Sequence, residues 1–128
     1  MSAYARWLFG SAAAANLIVA AWLALAQGLF VAVLRIDPIT GSNVVIADLA
    51  AVLIAAFGYG YLRIALDPVR FRPLIHVGAV GKLAAVATVF AGVMFIPHVW
   101  PLALLVSGDA VFAGLFLDYL RRTRPVCP

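Results

Sequence analysis

The chain has 128 residues, 66% of them hydrophobic and only 11% charged, with a mean hydropathy of +1.11. Soluble domains carry roughly 25% charged residues, so this composition excludes an ordinary water-soluble globule, and the length leaves no room for a second domain. The formal charge of +4 does not argue for nucleic acid, because the basic residues stand at the ends of apolar runs and form no solvated patch.

About 20 apolar residues cross a ~30 Å hydrocarbon core. Four stretches meet that length: 8–34, 44–66, 74–96 and 102–120. In lipid every backbone donor and acceptor needs an internal partner, so segments of this length are helices. The expected fold is all-α, a single transmembrane domain over 1–128 in the form of a four-helix bundle.

The first span, 8–34, has a competing reading. "ALAQ" at 24–27 has the look of a signal-peptidase site behind an apolar run and one basic residue, Arg6. The apolar run continues through "GLFVAVL" to Leu34, which favours an uncleaved helix. Asn16, Ala20, Leu23 and Gln27 share one face of it, since eleven residues bring a helix back to within about 20°. Gln27 then lies roughly 10 Å below the far surface.

"RIDPITGSN" separates the first two spans, where a proline, a glycine and polar side chains end helical structure. On the second span Asp48 lies about 6 Å below the far surface, with Ala51, Ala55 and Gly58 beneath it on one face. "FGYGY" follows at 57–61. Tyr59 and Tyr61 are expected in an interfacial aromatic belt, with Gly58 and Gly60 allowing close helix approach.

"DPVRFRP" leads into the third span, "HVGAVGKLAAVATVFAGVMFI", which carries Lys82. "GAVGK" lacks the full phosphate-loop pattern and lies within a span, so no nucleotide site is read from it. Lys82 is roughly 12 Å deep. Gly78, Gly81 and Ala85 are small neighbours suited to helix packing. His76 and His98 fall at opposite ends of the membrane, too far apart to share a metal, and read as interfacial polar residues. Cys127 is alone, so no intrachain disulfide is available, and no metal or cofactor ligand set is present.

The turn "PHVWP" opens the fourth span, which carries Asp109 roughly 12 Å deep. A single Lys or Asp at a helix centre costs about 2.5–3.5 kcal/mol on insertion scales. Two such charges are therefore expected to face each other inside the bundle, with Asp48 and Gln27 contributing to one site. One lysine and two aspartates sum to −1, which leaves two balances open: a protonated aspartate, suited to proton-linked transport, or a bound cation.

Arginine placement predicts orientation. Arg6, Arg63, Arg70, Arg72, Arg121, Arg122 and Arg124 share the side of both termini, against Arg35 opposite. The positive-inside rule puts both termini in the cytoplasm, in an inner (plasma) membrane. The second and fourth spans also share a faint pattern, an aspartate followed by Tyr-Leu-Arg ending at Arg63 and Arg121, with spacings that differ by nearly a turn.

"GAVGK" in a third span and "SGDAVFAGLF" in a fourth resemble small, uncharacterised four-helix bacterial membrane proteins, broadly DoxX-like. The resemblance implies a compact four-helix bundle, sometimes linked with redox or quinone-related membrane systems, and it brings no catalytic set.

Three functions follow in order of expectation. The first is a module that binds or transports a small or lipophilic ligand at a site of Lys82, Asp109, Asp48 and Gln27 opening toward the outer leaflet, in a homo-oligomer if it transports. The second is a non-catalytic accessory subunit of a larger membrane complex. The third is an enzyme acting on a lipid-soluble substrate, with Asp48 as proton donor.

Overall fold

Prolines mark where two of the long helices stop. In the computed structural model, which describes residues 3–125, Asp67 and Ile96 take the non-helical conformations φ −148°, ψ 83° and φ −129°, ψ 76°. Each precedes a proline, whose ring disfavours the helical conformation of the residue before it. They close helix α3 (Asn43–Leu66) and helix α4 (Arg72–Phe95). Pro73 and Pro101 sit in the first turns of α4 and of α5 (Trp100–Arg122), where the missing amide donor leaves no intrahelical bond unmade. A 3₁₀ turn, Pro97–Val99, joins these two helices.

The first span is shorter than the apolar run suggests. Helix α1 covers Ala3–Leu25, and after a break at Ala26 (φ −136°, ψ 53°) the separate helix α2 covers Gln27–Leu34. Twenty-three residues already reach about 34 Å at 1.5 Å each, enough to cross a hydrocarbon core. The remaining eight need not continue. No proline makes this break; α2 is held by the Phe30 ring edge-on to Trp22 at 4.9 Å and by burial of Phe30 and Leu34. Gln27 thus heads a short second helix and does not share the first span with Asn16.

The described residues are all-helical, without strands, and α1, α3, α4 and α5 are each long and apolar enough to cross a membrane. The outer surface agrees with that environment. Ile18, Val52, Val80, Met94 and Phe95 are all exposed, Met94 at 81% and Phe95 at 87%. In water such a surface would be a large apolar patch; against lipid tails it carries no penalty.

α1 packs against α3, and α4 against α5, so the bundle is two helix pairs with a thinner contact between them. Two apolar clusters hold the pairs together. One, at the end carrying most of the arginines, gathers Phe9, Tyr61, Ile64, Ile75, Phe116 and Tyr119 with alanines of α1. The other, at the opposite end, centres on Leu23, Phe30, Leu34 and Ala51. Between the two clusters lies a polar layer.

Candidate functional site

Lys82 sits near the middle of α4, at the last buried position of that helix, and is 4% exposed. Its ammonium donates to Asp109 Oδ1 of α5 at 2.5 Å and to Asn16 Oδ1 of α1 at 3.1 Å. Asn16 in turn donates from Nδ2 to the Ile54 carbonyl of α3 at 3.1 Å. A chain of hydrogen bonds therefore links all four long helices at mid-depth. Two ring faces complete the cation's surroundings: the ammonium lies 5.0 Å from the Tyr61 centroid and 5.4 Å from that of Phe112. A carboxylate, an amide oxygen and two π-faces all present negative potential to it, which offsets the loss of water.

Beside this network, between the two helix pairs, is a cavity of about 430 Å³. Its walls are mostly apolar, from Val19, Phe30, Leu53, Phe57, Leu105 and Phe112, with Asn16, Lys82 and Asp109 as polar lining. Small ligands are commonly held in spaces of about 300–1,000 Å³ with this balance of apolar wall and few polar groups. Leu53, Phe57, Ala85 and Gly108 line it and are also exposed on the outside of the bundle, so the cavity opens sideways between the pairs. Beyond Lys82, α4 has no buried residue, and contact between the pairs there runs through Leu102 and Leu105 of α5 against the α1, α2 and α3 cluster.

Asp48 and Gln27 are placed elsewhere. Asp48 is exposed and accepts a hydrogen bond from Gln27 Nε2 at 3.1 Å, and neither residue lines the cavity. The count of one lysine and two aspartates at a single site does not apply to this geometry. Of the two aspartates, Lys82 faces Asp109 alone there. Comparison with protein-family models, curated proteins and solved structures finds no match for this chain.

The small positions around the site have distinct roles. A side-chain carbon at Gly78 would meet the Tyr61 ring at 2.6 Å, one at Gly81 the Phe57 ring at 3.0 Å, and one at Gly58 would fall 3.1 Å from Leu17. All three glycines let a neighbouring helix come close. Gly60 has open space around it, so it is not a packing position. Tyr61 is 2% exposed and belongs to the core beneath Lys82, not to an interfacial belt; Tyr59 stays outside.

Sequence reasoning put Asn16 on an inward face without giving it a role, and it did not single out Phe112. The signal for Asn16 was available: an amide in the middle of an apolar helix needs a partner as much as a charge does. Among the described residues no group of three or more metal-ligating side chains occurs. Asp37 lies 3.5 Å from His98 Nε2 at the far end, both exposed. Cys127 falls outside the described residues.

Proposed function

We propose that this chain is an inner-membrane protein with both termini in the cytoplasm, and that it holds a small lipophilic ligand in the cavity between its two helix pairs. The observation that carries this reading is the cavity itself: a largely apolar space whose wall contains a buried, fully oriented lysine. An ammonium has three donors, and Asp109 and Asn16 account for two. The third donor and the second oxygen of Asp109 remain for a ligand's carbonyl or hydroxyl. The ligand's apolar body would lie along Leu53, Phe57 and Leu105 and would enter sideways from the outer half of the bilayer.

A second reading is favoured by the reach of the network. Because it touches all four long helices, it could serve only to lock them, in an accessory subunit of a larger complex of the kind the DoxX-like layout suggests. Two variants separate the readings. Gly108 lines the cavity with nothing within 4 Å of an added side-chain carbon, so Gly108→Phe fills the space without a clash at its base. Lys82→Met removes the donor. Protein purified from membranes is extracted and its co-purifying apolar molecules are quantified by mass spectrometry.

Ligand binding predicts one retained species that falls roughly tenfold or more in both variants, equivalent to losing about 1.4 kcal/mol of contact, with Gly108→Phe still purified as a folded protein. Equal retention in wild type and Gly108→Phe, together with loss of folding or assembly in Lys82→Met, supports the locking role instead.

A further inference from the structure

A second recess lies at the end of the α4–α5 pair where the termini emerge. It is a cleft of about 790 Å³ whose lining includes Arg72, His76, Arg121 and Arg124, with Gly114 and Leu117 on the side toward the membrane centre. The cleft is thus cationic at one end and apolar at the other.

Its charges are not cancelled from within. Asp118 also lines the cleft, but its Oδ2 is engaged by Arg122 Nε at 2.8 Å. Arg72 is fixed: Nη1 donates to Thr123 Oγ1 at 2.6 Å and Nη2 to the Leu120 carbonyl at 2.9 Å, which ties the start of α4 to the end of α5. Among the described residues Arg121, Arg124 and His76 have no hydrogen-bond or ion-pair partner. A concentration of unpaired arginines around a guanidinium already held in place is suited to an oxyanion with several acceptor oxygens. Gly114 carries no side chain, and nothing lies within 4 Å of the position one would take. The helix surface is therefore notched where an acyl chain leaving the cationic end would run.

We infer that this cleft is a binding site for an anionic phospholipid, its phosphate among Arg72, Arg121 and Arg124 and one acyl chain along Gly114 and Leu117. The site is independent of the cavity at Lys82, and its occupant is a lipid of the adjacent leaflet. Basic recesses between helices at the headgroup level hold such lipids by the same combination of charge and apolar contact.

The test uses the full chain in neutral detergent. Thermal unfolding is followed with added phosphatidylglycerol, with phosphatidylcholine of the same acyl chains, and with inorganic phosphate. Phosphatidylglycerol is expected to raise the melting temperature of wild type, and phosphatidylcholine and phosphate are not. Arg121→Gln/Arg124→Gln should abolish the shift and weaken lipid retention on the order of 30-fold, two basic contacts near a membrane surface. Arg72 is left intact because its removal would also release the end of α5.

Native mass spectrometry of wild type in equimolar phosphatidylglycerol and phosphatidylcholine reads the preference without any variant, and Leu117→Trp should reduce retention by obstructing the chain groove. Equal retention of the two lipids, a shift that survives Arg121→Gln/Arg124→Gln, or a shift reproduced by phosphate alone would each overturn the inference.

Discussion

Lys82 is expensive in a membrane only when it stands alone. With Asp109 opposite, each charge removes the other's penalty, so a single substitution at either position leaves an orphan where the double substitution leaves none. Lys82→Met and Asp109→Leu are each expected to destabilise the protein by about 2–3 kcal/mol, the insertion cost of the charge left behind. The double variant leaves no orphan, so it should lie closer to wild type than the sum of the two, with a coupling of several kcal/mol, about the two orphan costs it avoids. Denaturant titration of the four proteins in micelles checks this; strictly additive losses would mean that the two groups do not sense each other. The same expense makes the pair readable from sequence, since two deep charges on neighbouring spans have few other ways to be satisfied. Asp48 and Gln27 were harder to place because they lie near a surface, where water or headgroups satisfy them and position in the chain constrains them little. Asn16 is a neutral amide whose position in an apolar helix calls for a partner, but no sequence pattern says that its oxygen meets Lys82 and its Nδ2 a main-chain carbonyl. A tyrosine near a helix end suits an interface, but the cation above Tyr61 and the Phe116 ring at 5.2 Å draw it inward.

At the scale of the helices, close approach depends on the absence of a few carbons. The Tyr61 ring fills the space above Gly78 and is hemmed by Phe116 on one side and by Lys82 on another. Gly78→Ala must therefore displace a ring packed against Phe116 and the Lys82 ammonium, at a cost of about 1–3 kcal/mol. Gly92→Ala and Gly114→Ala meet nothing, and should be neutral or stabilising by up to about 1 kcal/mol through reduced backbone freedom in the unfolded chain. The melting temperature of Gly78→Ala should lie clearly below those of Gly92→Ala and Gly114→Ala; three equal values would mean that Gly78 is not tightly packed. Arg72→Lys is a second probe of an element boundary. A lysine cannot hold the two acceptors that the guanidinium spans, so the end of α5 should fray and the protein should lose about 1 kcal/mol. The limits of α3, α4 and α5 followed from sequence to within two residues because proline, glycine and charged runs act locally. The break at Ala26 did not. It depends on Phe30 folding back onto Trp22 and on Gln27 reaching Asp48, contacts between residues that local pattern does not connect.

For the whole molecule, the arrangement of two helix pairs places the seven arginines and the tightest core at one end and the cavity's opening in the other half. Charge bias in short loops, more than the spans themselves, sets which end faces the cytoplasm. Arg72 shows that one of these residues also has a structural bond to make, and Arg63 lies 4.9 Å from the Phe71 ring. Even without those two, the remaining arginines favour the same side by a wide margin, so local contacts do not weaken the orientation argument. The loop 35–42 and the loop 67–71 must then lie on opposite sides of the membrane. In a Cys127→Ser background, Ser42→Cys should react with a membrane-impermeant maleimide in intact cells, while Val69→Cys, in the other loop and 82% exposed, should react only after the membrane is opened. Reversed labelling would invert the protein. The sideways opening would then face the cytoplasmic leaflet, and the basic cleft would meet the outer one. Labelling of both cysteines in intact cells would indicate a mixed population, in which the arginines no longer decide the insertion.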